Sequence, residues 1–91
     1  MPEPTTQSQG TLVYRGRWII VNRLLQGRGR RTHLYEVLAR EHGTRLGLIA
    51  WDRLWGCYVL RPKDSTLWSE NYLQEICAFL RQQQQGEETI L

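Results

Sequence analysis

The chain has 91 residues, which is the length of one small domain. Apolar residues make up 41% of it, including four Trp and four Tyr, so the composition is not that of a disordered protein. Its longest apolar runs are a few residues, far below the roughly 20 that span a bilayer, which excludes a transmembrane helix.

The net charge of +3 is distributed unevenly. Residues 1–31 carry six arginines against Glu3 alone, whereas the later residues carry more carboxylates than cations. Such asymmetry is typical of proteins that contact an acidic partner, most often nucleic acid. Eleven of the twelve cations are arginine, and a bias in codon usage would produce the same excess, so the two interpretations are level.

The two ends of the chain are expected to be disordered tails. Residues 1–10 are polar and contain two prolines, with neither the charged start nor the apolar centre of a signal peptide, so a cytoplasmic location is expected. Residues 84–91 form the second expected tail. One small domain is therefore predicted over residues 11–83.

Residues 11–26 are compatible with two structures. Trp18 and the three residues after it favour a β-strand. Trp18, Val21 and Leu25 also fit one face of a helix that ends at Gly27. We favour the strand. A basic loop is expected to follow at 27–31, with the sequence GRGRR.

Three β-rich segments form the centre of the chain. Residues 32–40 and 45–51 are joined through a short turn in which Gly43 can take positive φ. The third strand is expected at 56–61, and Pro62 ends it because proline cannot donate to a ladder. Residues 45–51 are apolar on both faces, which predicts that this strand is central in an antiparallel sheet.

A helix is predicted after Ser69, which is a plausible N-cap. Trp68 and Leu73 are placed to form a hydrophobic staple at its start. The predicted apolar stripe consists of Leu73, Ile76, Cys77 and Leu80, with Tyr72 and Phe79 on its flanks. The predicted fold class is therefore α+β: a three- to four-stranded antiparallel sheet with a C-terminal helix packed on one face.

Trp51 and Trp55 lie at the ends of adjoining strands, where a tight turn would bring them into cross-strand contact. One helix covers only one face of a sheet. The other face is expected to carry Ile49 and Trp51 with Tyr35 or Cys57. We favour its coverage by residues 11–26 or by a second subunit, and the alternative is that it is exposed as a partner-binding surface. The candidate partner-binding residues are Trp51, Trp55 and Tyr35. No pattern specifies a homodimer.

Nucleic-acid binding is the alternative function. Its candidate residues are Arg15, Arg17, Arg28, Arg30 and Arg31, whose guanidinium groups could contact phosphates. A double-stranded-RNA-binding domain has the order α-β-β-β-α, which this chain would match if 18–26 were helical. Such domains begin their last helix with cations, whereas this helix begins with Ser69 and Glu70, which argues against that assignment.

Metal binding and catalysis have little support in the sequence. His33, His42, Cys57 and Cys77 lack the spacing of metal sites, and the two cysteines are expected to be buried free thiols. No catalytic motif is present, so no cofactor and no enzymatic activity are predicted. A small oligomeric hydrolase or nuclease is a distant third hypothesis.

The run from Tyr35 to Leu80 resembles small uncharacterised proteins of phages, prophages and other mobile elements. The pattern that carries the resemblance is LGxIxW, then WxxY, then PxxxT, then LxxIxxFL, starting at Leu46, Trp55, Pro62 and Leu73. That family has no settled activity, so the resemblance implies a genomic setting and no reaction. The resulting hypothesis is a non-enzymatic accessory or regulatory module that acts by binding a protein partner.

Overall fold

The computed structural model describes residues 10–26 and 31–90, with side chains as far as Gln84. It contains an antiparallel sheet followed by one helix, which confirms the α+β class. The elements are β1 (Thr11–Arg15), β2 (Ile19–Leu24), β3 (Leu34–Ala39), β4 (Arg45–Asp52), β5 (Cys57–Pro62) and α1 (Glu70–Ile90). The sheet has five strands, more than the three or four that we expected.

The extra strand arises from residues 11–26, which form a hairpin. Gly16, Arg17 and Trp18 make the turn, in which the N–H of Gly16 donates to the carbonyl of Ile19 at 2.8 Å. The helical alternative for this segment is therefore wrong, and the strand that we favoured is two strands. Trp18 lies in the turn and not in the sheet.

The strands follow one another in the order β1-β2-β3-β4-β5, each antiparallel to its neighbour. β4 lies between β3 and β5, as its two apolar faces predicted. Gly43 has φ of 71° in the β3–β4 turn, the positive value that we expected there. We call the end of the sheet with the β1–β2 and β3–β4 turns the Gly16 end. The opposite end, with the β2–β3 and β4–β5 connections, is called the Trp55 end.

The core lies between α1 and one face of the sheet. Phe79 is fully buried, and its ring meets Tyr14 and Tyr35 edge-on at centroid distances of 5.8 and 5.0 Å. Burial, with a smaller contribution from the negative charge of Glu75, raises the pKa of the Tyr14 phenol. The helix begins at the predicted place, since the Ser69 Oγ accepts from the N–H of Tyr72 at 3.3 Å.

The buried stripe of α1 is rotated relative to the prediction. Ile76 and Phe79 are buried and Tyr72 packs against the core, whereas Cys77 is exposed and Leu73 is half exposed. The prediction that the Cys77 thiol is buried is therefore wrong. Turning the helix this way buries the phenyl ring of Phe79, which has more apolar surface than a thiol.

Some predicted segments lie partly outside the described residues. Residues 1–9 of the expected first tail, 27–30 of the expected basic loop and Leu91 are not described. In the segment 84–91, α1 continues as far as Ile90.

Candidate interaction surface

The sheet has one face beneath α1 and one face that no described element covers. We call the second the open face. Strand alternation and register place on it the apolar side chains of Ile20, Leu24, Leu34, Leu38, Leu48, Ala50, Cys57 and Val59, all half-buried. In the described part of the chain, this surface has no aromatic side chain on strands β2 to β5.

A buried carboxylate lies in the middle of the open face. Glu36 is only 4% exposed, although the helix is on the opposite side of the sheet. Its Oε1 accepts from Arg45 Nη2 at 2.7 Å and its Oε2 accepts from Asn22 Nδ2 at 3.2 Å. Both oxygens are thus satisfied, as a buried carboxylate requires.

Sequence reasoning missed this cluster. The signal available was the alternation around Glu36, which lies between Tyr35 and Val37, two residues that face the helix. That alternation puts Glu36 on the opposite face but does not identify its partners.

Three cations of the described strands lie on the open face, all toward its Gly16 end. Arg15 is paired with Ile20 and Arg61 with Leu48 across neighbouring strands, and Arg45 is held by Glu36. The other carboxylate on this face, Asp52, accepts from the N–H of Leu54 at 3.2 Å and so organises the β4–β5 turn. The described open face therefore carries more positive than negative charge.

Two of the three predicted partner-binding residues lie on the helix side of the sheet. Tyr35 is 2% exposed, and its ring meets that of Tyr58 at 5.8 Å. Trp51 is half-buried and meets the same Tyr58 ring at 5.3 Å. The expectation that Ile49, Trp51 and Tyr35 lie on the face away from the helix is therefore wrong, because α1 packs over that set of alternating side chains. Of the four residues named, only Cys57 lies on the open face.

Trp55 does not pair with Trp51. The cross-strand neighbour of Trp51 is Tyr58, because a four-residue turn at 53–56 places Trp55 beyond the ladder. Trp55 is 76% exposed and Leu54 is 93% exposed. Trp55 is thus the one predicted partner-binding residue whose side chain is open to solvent.

The predicted nucleic-acid-binding arginines do not form one patch in the described residues. Arg15 and Arg17 lie at the Gly16 end, and Arg31 lies at the Trp55 end. β2 separates them, and a six-residue strand is about 20 Å long. Arg28 and Arg30 lie outside the described residues.

The backbone of the β1–β2 turn binds a carboxylate of α1. The backbone N–H groups of Arg17, Trp18 and Ile19 all donate to the Glu75 carboxylate, at 2.9 to 3.3 Å. A turn with converging N–H groups is a common anion site. Here a carboxylate of α1 already occupies it, so this turn holds the helix against the sheet and offers those donors to no external ligand.

The described side chains show no metal centre. No group of three or more His, Cys, Asp or Glu within them could hold a metal ion. Cys57 and Cys77 are free thiols. Within the described ranges, α1 is not apolar enough over a sufficient length to cross a membrane.

Comparison of the chain with protein-family profiles, with curated proteins and with solved structures found no match. The resemblance to mobile-element proteins therefore stays a prediction.

Proposed function

We propose that this protein is a binding module that meets a protein partner through its open face. The observation that carries the proposal is an apolar sheet face that no described element covers. The half-buried aliphatic side chains of its three inner strands remain accessible from that side, at the centre of the sheet. A contiguous apolar surface that stays accessible to solvent is characteristic of interaction sites.

The charge of the open face supports a partner with acidic side chains on one side of its contact surface. Arg15, Arg45 and Arg61 lie at the Gly16 end of the face, while the buried carboxylate of Glu36 is already paired. A complementary surface is apolar in the middle and carries Asp or Glu at the edge that meets the Gly16 end. The proposed occupant is therefore an apolar protein surface with one acidic edge.

Nucleic acid fits the open face less well. Proteins that bind single strands on a sheet stack bases on aromatic side chains, and the described centre of this face is aliphatic. The described arginines of the nucleic-acid hypothesis are divided between two ends of the sheet. Binding through phosphates would show a steep loss of affinity with added salt, which distinguishes this alternative.

The accessory or regulatory role in a mobile element, with no catalysis by this chain, accompanies the proposal as a prediction. It rests on the pattern between Leu46 and Leu80, whose residues are core and turn positions. Trp55 is an additional contact candidate because its exposed ring lies at the end of the sheet and not beneath α1.

Site-specific photo-crosslinking in the producing cells tests the proposal. A photoreactive side chain is placed at Ala50 or Val59 on the open face, and as a control at Gln74 or Arg81, which are exposed on α1. We expect the same protein to be crosslinked from both open-face positions and from neither helix position. That protein, purified, should then bind the purified module without any other component.

Three results would contradict the proposal. The first is equal crosslinking from the helix and the open face, and the second is a crosslinked species that is nucleic acid. The third is crosslinking only to a second copy of this chain, which would make the open face the interface of a homodimer.

A further inference from the structure

We infer that a cleft at the border of the open face binds a side-chain carboxylate of the partner, from an Asp or a Glu. This inference rests on the proposed function, because it assigns a ligand to one part of the same surface. The cleft lies where β4 and β5 meet at the Gly16 end and has a volume of about 330 Å³. Its lining residues are Arg45, Gly47, Leu48, Arg61, Pro62 and Lys63.

The walls of the cleft carry three cations and no carboxylate. Arg45 is partly neutralised by Glu36, whereas Arg61 and Lys63 make no ion pair with any described residue. Asp64 follows Lys63 in the chain but does not line the cleft. Arginine presents a planar fork that matches carboxylate and phosphate oxygens, and lysine adds a point charge.

The backbone holds these cations in fixed relative positions. Arg61 is directly opposite Leu48, and Gly47 is opposite Pro62, in the ladder between β4 and β5. The N–H of Lys63 donates to the carbonyl of Leu46 at 2.9 Å, which extends that ladder by one bond. The backbone of Arg61 and Lys63 is therefore already ordered before a ligand binds, which lowers the entropy cost of binding.

The cleft also has apolar lining residues. These are Leu48 and Pro62, and Leu48 belongs also to the aliphatic centre of the open face. A ligand that fills the cleft while it contacts the face must place an oxyanion beside apolar groups. An Asp or Glu next to aliphatic residues in a partner segment has that chemistry.

The test uses amide chemical shifts of the full chain. Sodium phosphate and sodium acetate are added separately, each against sodium chloride at matched ionic strength. We expect the largest shift changes at Gly47, Leu48, Arg61 and Lys63, and we expect them with acetate. A response to phosphate alone, or to neither anion, would contradict the assignment of a carboxylate ligand.

A charge-matched pair of variants controls for general ion binding. The double variant Arg61→Gln/Lys63→Gln should reduce the shift changes in the cleft at least threefold. Arg53→Gln/Arg81→Gln removes two exposed cations elsewhere and should leave them unchanged. Shift changes that are spread over all arginines, or that are the same in both double variants, would overturn the inference.

The failure of this site can be separated from the failure of the proposed function. If the crosslinked partner binds the Arg61→Gln/Lys63→Gln variant as tightly as the parent, the oxyanion site is wrong and the open face remains the docking surface. If no protein is crosslinked from Ala50 or Val59 but anion shifts focus on the cleft, the proposed function is wrong and the site stands as a site for small anions.

Discussion

Glu75 links the helix to the first hairpin through a single carboxylate. It accepts from three consecutive backbone N–H groups in the β1–β2 turn, at Arg17, Trp18 and Ile19. A Cβ on Gly16 would collide with the same carboxylate, so the turn and the side chain fit closely. Glu75 therefore adds a polar contact between the hairpin and the helix to the core contact of Phe79 with Tyr14.

Glu75→Ala should lower the free energy of unfolding by about 2 kcal/mol, because several N–H donors lose a charged acceptor. Glu41→Ala is the matched control, since that carboxylate is exposed and its one described partner, His42, is 3.7 Å away. Its removal should change stability by less than about 0.5 kcal/mol. Urea unfolding of both variants provides the measurement, and equal effects would show that the Glu75 contacts do not stabilise the turn.

For single residues, the sequence predicted the helix N-cap but not the hydrogen bonds between residues far apart in the chain. Ser69 was predicted as an N-cap from its local context and is one. The bonds of Glu75 join residues 56 to 58 positions apart, and those of Glu36 depend on strand register. No local pattern contains either piece of information.

At the scale of elements, the close approach of β4 and β5 depends on Gly47. A Cβ at this position would lie 2.7 Å from the carbonyl oxygen of Arg61 and 3.1 Å from the Cα of Pro62. Both atoms belong to backbone, so they cannot move aside as a flexible side chain can. Glycine is required here for space and not for an unusual φ.

Gly47→Ala should therefore destabilise the protein by about 1–3 kcal/mol, the range typical of overpacking. Gly43→Asn provides a contrast. Gly43 has φ of 71° and nothing within 4 Å of an added Cβ, and Asn tolerates positive φ. Its cost should stay below about 1 kcal/mol. Thermal unfolding compares the two, and an Asn variant that is the less stable of the pair would contradict this account of Gly47.

The first hairpin shows why one element was missed. The turn at Gly16, Arg17 and Trp18 lacks the Asn-Gly or Asp-Gly sequence that marks a short hairpin. Its N–H groups find their acceptor on α1, so the signal for the turn lies in another element. From the sequence, β1 and β2 were consequently predicted as one β-rich segment. The three later strands, whose boundaries are marked by Gly43, Gly56 and Pro62, were predicted correctly to within two residues at each end.

At the scale of the molecule, the order of strands and helix in the sequence was enough to predict the class of fold. It was not enough to predict which face of the sheet α1 covers. Both faces of the sheet are apolar, and the helix packs on the one that carries the rings of Tyr14, Tyr35, Trp51 and Tyr58. Burial of large rings contributes more free energy than burial of aliphatic side chains of the open face. The prediction instead placed Trp51 and Tyr35 on the side away from the helix.

The resulting molecule has two dissimilar sheet faces. One is an aromatic core closed by α1, and the other is aliphatic, with cations at its Gly16 end and the Glu36–Arg45 pair among its apolar side chains. Glu36 is buried and Arg45 is half exposed, and a partner that covers Arg45 would bury the whole pair. A buried ion pair that loses one member leaves an uncompensated charge, which is strongly destabilising. On the open face, such a pair would select a partner that leaves it intact.

The central claim is that the open face, and not the outer face of α1, meets the protein partner. The most direct measurement is the dissociation constant of the purified partner for Val59→Lys and for Gln82→Lys, which place the same charge on the open face and on α1. We predict that Val59→Lys weakens binding at least tenfold, about 1.4 kcal/mol, while Gln82→Lys stays within about twofold of the parent. With both variants folded, equal affinities, or a larger loss in Gln82→Lys, would contradict the claim.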